Sequence, residues 1–218
     1  MTATAEVVFL LDVDNTLLDN DRVIADMQAH LAGTLGPECE RRYWDIFEAR
    51  RTEVGYADYL GALEQYRTEN PFDPNIIGYS LFLLRYPFAE RLYPGTLDLI
   101  AFLQHRGTVA ILSDGDVVFQ PRKIDTSGLW AAVGGRVLVY THKEQMLDDI
   151  ERRYPARRYV MVDDKLRILT AMKNQWGARL TTVFVRQGHY AHDPEILASE
   201  PPADVAVEKI GDLVGVDL

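Results

Sequence analysis

A single cysteine, Cys39, stands in the 218 residues, so no intrachain disulfide can form. That suits a reducing compartment. Cys39 lies in a polar stretch, Pro-Glu-Cys-Glu-Arg-Arg, and is read as structural. The five histidines nowhere take metal-ligand spacing. No apolar run approaches the length that crosses a bilayer. The run over 7–11 is short, ends in acids and follows no basic start. Neither a membrane span nor a signal peptide is expected, and the expected location is the cytoplasm. Basic residues are outnumbered, with a net charge of −10. Such a surface repels nucleic-acid phosphates and anionic lipid, so neither is an expected partner. Neither a G-x-x-x-x-G-K loop nor a G-x-G-x-x-G fingerprint occurs, which argues against nucleotide-triphosphate engines and dinucleotide enzymes.

What is there is a globular α/β pattern. Hydrophobic residues make up 47% of the chain, enough to bury a sizeable core. The run over 7–13 is apolar on both faces and rich in valine, as in a strand covered on both sides of a parallel sheet. Runs over 108–112, 159–162 and 181–185 are similar, and 136–140 and Val205–Val207 are shorter candidates. Helical patterns over 96–106, 144–153 and 165–176 separate them, the last followed by Gly177 where a helix would stop. Alternation of this kind predicts a doubly wound, mostly parallel sheet with right-handed crossovers. Between Val13 and Gly107 lies far more chain than the dozen or so residues a crossover needs. That stretch holds no convincing strand. It reads as four helices, over 21–35, 38–51, 57–67 and 75–85. The expected organisation is therefore a core of residues 1–19 and 92–218, with a helical cap of residues 20–91 inserted after the first strand.

Ligands of open α/β sheets sit beyond the carboxyl ends of the strands. Asp12, Asp14 and Thr16 follow the first strand, and Ser113, Asp114 and Gly115 the second. Thr141-His142-Lys143 and Asp163-Asp164-Lys165 follow two others. Acids, hydroxyls and lysines thus converge on one edge. Four acids together would raise one another's pKa, and a hard divalent cation such as magnesium resolves this. It also gives an acidic protein a local positive field for a phosphorylated small molecule. A carboxylate can then serve as nucleophile, with Lys143, Ser113 and backbone N–H groups offsetting repulsion from the phosphate. A second acid two residues on can protonate the leaving oxygen and afterwards activate water.

The order of these motifs, DVDNT, LSD, a lysine opening a helix, then VDD, resembles the haloacid dehalogenase superfamily over nearly the whole chain. The helical insertion sits where that family places its cap. The resemblance implies a magnesium-dependent phosphohydrolase, with Asp12 as nucleophile and Asp14 as acid/base. It implies Thr16, Ser113, Asp114 and Lys143 around the phosphoryl group. Asp12, Asp14 and Asp164 would hold the metal, with Asp163 as a ligand or a partner behind it. Two positions depart from the family pattern: Glu144 stands where a proline often follows the lysine, and Ile168 where some members add an acid. True dehalogenases of the family generally lack the second aspartate, so Asp14 points to phosphate chemistry. A phosphomutase of sugar phosphates carries the same pair, and a non-catalytic binding protein on this fold is the third alternative. In the insertion, Arg50 and Arg51, with Tyr56 and Tyr59, are candidates to reach the substrate. Trp44, Phe47, Leu60 and Leu63 are expected to pack between its helices. His142 is read as a surface residue, and His189 and His192 as loop residues. No sequence feature specifies an oligomeric state.

Overall fold

The computed structural model describes residues 4–218. Residues 1–3 of the expected core segment lie outside the described residues. Six strands form one sheet in the order β3-β2-β1-β4-β5-β6. They are β1 (Ala5–Leu11), β2 (Thr108–Asp114), β3 (Val137–Tyr140), β4 (Ala156–Asp163), β5 (Leu180–Val185) and β6 (Val205–Val207). Every pairing within the sheet is parallel, and an antiparallel bridge between Leu18 and Leu92 lies outside it.

The sequence of β1 explains its central place. Val7, Phe9 and Leu11 point to one face, and Val8 and Leu10 to the other. All five are buried, and the two sets belong to different apolar clusters. One face is covered by α5 (Thr96–Gln104), α6 (Phe119–Thr126) and α7 (Leu129–Ala132), through Leu99, Leu103, Phe119 and Leu129. The other is covered by α8 (Leu147–Arg153) and α9 (Leu166–Trp176), through Ile150, Leu166, Leu169 and Met172. Trp176 stacks on Tyr159 with ring centroids 4.2 Å apart. From β1 the chain moves outward to β2 and β3, then returns to the opposite side of β1 for β4, β5 and β6. The switch point of the winding therefore falls between β1 and β4, where a crevice opens at their carboxyl ends.

Four helices occupy the stretch between β1 and β2. They are α1 (Asn20–Thr34), α2 (Pro37–Val54), α3 (Tyr59–Glu69) and α4 (Ile76–Arg85). Asp19 caps α1 by accepting from the Arg22 N–H, and Asp58 caps α3 by accepting from the Gly61 N–H. Gly55 ends α2 at φ 83°, a left-handed position that glycine adopts without strain. Phe47 and Leu63 are buried, with Trp44 and Leu60 packed partly buried beside them, as the sequence pattern anticipates; Tyr43 and Tyr59, not expected in this core, are buried with them. This core is continuous with one face of the sheet. The two chain crossings run side by side. The Asp19 N–H donates to the Arg91 carbonyl at 2.8 Å, and the Tyr93 N–H donates to the Leu17 carbonyl at 2.9 Å.

The structure departs from the sequence reading at several element ends. The residues over 144–153 do not form one helix. Lys143–Gln145 is a single 3-10 turn, and α8 begins only at Leu147. Lys143 therefore opens a tight turn, whose geometry sends its side chain back under the sheet edge. The short helices α6, α7 and α10 (Pro194–Ser199) have no counterpart in the sequence reading.

Candidate functional site

Asp12 is the first residue beyond β1, and its N–H donates to the Val162 carbonyl at 3.0 Å. The chain then turns sharply. The N–H groups of Thr16, Leu17 and Leu18 all donate to the Val13 carbonyl. Asn15 sits at φ 61°, a left-handed conformation that asparagine tolerates better than most residues. Its side-chain carbonyl accepts from the N–H groups of Asn20 and Asp21, which fastens the turn to the start of α1. Gly188 lies directly against it, and a Cβ there would meet the Asn15 Cβ at 2.4 Å. The turn thus presents Asp12 inward, while Asp14 looks into the cavity above.

Asp12, Asp163 and Asp164 each place a carboxylate oxygen within 4.8 Å of the others, and all three are buried. Lys143, 1% exposed, lies among them. Its ammonium contacts Asp12 Oδ1, lies 2.7 Å from Asp163 Oδ2 and donates to the Leu112 carbonyl at 3.3 Å. Burial works against this charge. The neighbouring carboxylates of Asp12, Asp163 and Asp114 outweigh it and hold the ammonium well above its ordinary pKa. The Thr16 hydroxyl donates to the other Asp12 oxygen at 3.1 Å.

The two acids after β4 have different surroundings. Asp163 faces Lys143 and also accepts the Lys165 N–H at 2.9 Å. Both Asp164 oxygens are buried with no hydrogen-bond partner among the described residues. Burial pushes both carboxyls up. A buried carboxylate without a donor is a costly arrangement. With the Asp12 carboxylate close by, it offers oxygen donors of the kind a hard divalent cation takes. The residues present therefore fit magnesium or a similar ion.

Ser113 and Asp114 come from the end of β2. The Ser113 hydroxyl is buried and accepts from the Gln120 amide at 2.9 Å. The Asp114 carboxylate accepts the Lys143 backbone N–H at 2.8 Å, so it pins the lysine-bearing turn to β2. Burial lifts its carboxyl to about 6, with Lys143 opposing and Asp12 and Asp163 adding to the rise. Asp14 does not join the buried triad. Both of its oxygens are held by Lys123, at 2.7 and 2.9 Å, and one lies 3.3 Å from the Gln120 amide.

Gln120 and Lys123 are absent from the sequence reading. Both project from α6, which begins a few residues after the Ser-Asp-Gly motif. Gly115 makes room for Gln120, since a Cβ there would lie 2.7 Å from the Gln120 Cβ. The available signal was a glutamine and a lysine three residues apart on one helical face, directly behind a strand-end motif.

A cavity of about 750 Å3 opens above these groups, between the sheet edge and the helical insertion. Asp14, Asp114 and Lys165 line its floor, and Trp44, Arg51 and Tyr59 line its roof. Arg51 donates to the Tyr190 hydroxyl across the cavity mouth. Arg50, the other candidate of that pair, is instead spent on Asp58. His142 is exposed and lines the cavity, and His189 pairs with Asp21 at 2.6 Å.

The family described as haloacid dehalogenase-like hydrolase matches residues 7–174. Among curated proteins none matches the chain. A solved structure from Burkholderia xenovorans LB400, described as a haloacid dehalogenase-like hydrolase, is 63% identical. The match covers 97% of this chain and 96% of that one, with a TM-score of 0.92. The hydrolase YfnB from Bacillus subtilis, solved bound to magnesium, is 16% identical with a TM-score of 0.62, over 97% of each chain. An L-2-haloacid dehalogenase from Xanthobacter autotrophicus is 17% identical with a TM-score of 0.60. That match covers 95% of this chain and 96% of the other. At such identities the last two show a shared fold alone. No helix among the described residues is long and apolar enough to cross a membrane.

Proposed function

The chain belongs to the haloacid dehalogenase-like hydrolases, and from that premise we propose that it is a magnesium-dependent phosphohydrolase of small phosphomonoesters. One observation carries the reading. A buried acid triad with an unpartnered carboxylate at Asp164 stands beside a second acid, Asp14, that lines the cavity. A halide leaves without needing a proton, whereas the leaving oxygen of a phosphate ester takes one up.

In the proposed reaction an Asp12 oxygen attacks phosphorus. The bond from phosphorus to the ester oxygen breaks, its electron pair stays on that oxygen, and Asp14 supplies the proton. Asp14 then takes a proton from water as the water oxygen attacks phosphorus, the bond to Asp12 breaks, and inorganic phosphate departs. Lys143 orients Asp12 and offsets phosphoryl charge. Ser113 offers its hydroxyl to a phosphoryl oxygen, and Thr16 steadies the Asp12 carboxylate. A magnesium ion held by Asp12, Asp164 and the Asp14 backbone carbonyl would supply the remaining positive charge. Asp163 acts through Lys143 rather than as a direct ligand.

The reading is tested by phosphate release from an aryl phosphate with and without magnesium. Magnesium-dependent release is expected. Isomerisation of a sugar phosphate without net release would favour a mutase, and halide release from a 2-haloacid without phosphatase activity would overturn the reading. Magnesium alone should also raise the melting temperature by roughly 3–8 °C at concentrations well above its dissociation constant. In Asp164→Asn most of that shift should vanish. An undiminished shift would place the ion elsewhere.

A further inference from the structure

We propose that Lys123 is the positioning residue of the acid/base carboxylate, and that it ties Asp14 to the first residue of the helical insertion. The proposal rests on the phosphohydrolase reading. Lys123 is 1% exposed, deep in the molecule, and a lysine is almost never so buried without a dedicated partner. Its three acceptors are Asp14 Oδ1 at 2.7 Å, Asp14 Oδ2 at 2.9 Å and the Asn20 side-chain carbonyl at 3.1 Å. An ammonium has three protons to give, so these contacts can use all of them.

The geometry has two consequences. First, both Asp14 oxygens are fixed from the core side, so the carboxylate cannot rotate freely into the 750 Å3 cavity that it lines. Gln120 adds a contact to one of those oxygens and another to Ser113, which joins the acid/base group to the β2 strand end. Second, Asn20 is where α1 begins, and its own N–H is held by the Asn15 side chain in the turn that carries Asp14. Tyr59 of α3 is buried beside the same group, and the Asp14 charge adds to the burial that raises its hydroxyl pKa. Movement of the insertion therefore changes what surrounds the Lys123 ammonium, and with it the placement of Asp14.

The test is a double-mutant cycle on the full-length protein with magnesium, read by kcat and KM for one alkyl and one aryl phosphate. Lys123→Met is expected to lower kcat for the alkyl ester about 10–100-fold, with KM changed by less than about 3-fold, because it costs part of the roughly 100–10,000-fold that a well-placed general acid–base group contributes. Asp14→Asn and Asp14→Asn with Lys123→Met should turn over the aryl ester at the same rate within about 2-fold, since Lys123 acts only through Asp14. Multiplying losses in the double variant, an unchanged kcat in Lys123→Met, or a rise in KM alone would each overturn the proposal. The double variant removes both members of a buried pair, so it keeps the test open if Lys123→Met alone fails to fold. Failure of the phosphohydrolase reading shows separately, as wild-type protein that releases no phosphate, and the proposal then falls with it.

Discussion

Asp12→Asn is expected to slow phosphate release by at least about 10,000-fold while the protein melts no lower than wild type. The two halves of this result have separate causes. An amide cannot attack phosphorus as a carboxylate does, so the covalent route closes. Stability behaves differently because Asp12 is one of three buried acids within 4.8 Å of one another. Removing one charge relieves repulsion among the remaining two. Lys143 keeps Asp163 as its ion partner and the Leu112 carbonyl as an acceptor. Steady-state kinetics and a thermal melt on the same preparation check both halves. A surviving rate within about 10-fold of wild type would remove Asp12 from the chemistry.

The second large effect is expected at Lys143. Its replacement by methionine strips Asp12 and Asp163 of their shared counter-ion in a site with almost no solvent. Breaking one side of a buried ion network costs about 3–5 kcal/mol. For a chain of this length that corresponds to a drop of roughly 6–20 °C in melting temperature. Turnover should fall by about 100–1,000-fold through loss of charge near the phosphoryl group. Adding Asp163→Asn should restore part of the stability and none of the rate, because it removes one of the two stranded charges without restoring the ammonium. A double variant as unstable as the single would contradict this account.

Much of the fold was legible in the sequence, and the reason differs by element. Strand β1 declares itself because from Val7 to Leu11 both faces are buried, so its run of apolar residues there is unbroken. The four helices of the insertion were legible from their breaks at Gly36, Gly55 and the prolines after Asn70, more than from their apolar stripes. Helix α6 was not, since Phe119-Gln-Pro-Arg-Lys-Ile is polar, short and interrupted by Pro121. With it went Gln120 and Lys123. Their partner Asp14 lies 109 residues before Lys123, a distance over which spacing says nothing about contact. The strand-end motifs located the acids but could not divide the work between Asp163 and Asp164. That division depends on which carboxylate meets the Lys143 ammonium, and the ammonium arrives through a 3-10 turn that looked like the start of a helix.

The paired chain crossings at Leu17–Asp19 and Arg91–Tyr93 bear on how such a molecule assembles. Strand β1 must find β2 across the whole insertion, and closing a long loop of flexible chain carries an entropic cost before any pairing offsets it. The helices α1–α4 are built from local contacts, which form quickly. Because the chain enters and leaves the insertion at hydrogen-bonding distance, its collapse brings the segment that follows β1 beside the segment that leads through α5 to β2. The effective loop then shrinks from scores of residues to roughly twenty, most of them in the crossover that carries α5. A helical element that closes the cavity in the finished protein would serve, during folding, as a clasp that sets the central strands in register.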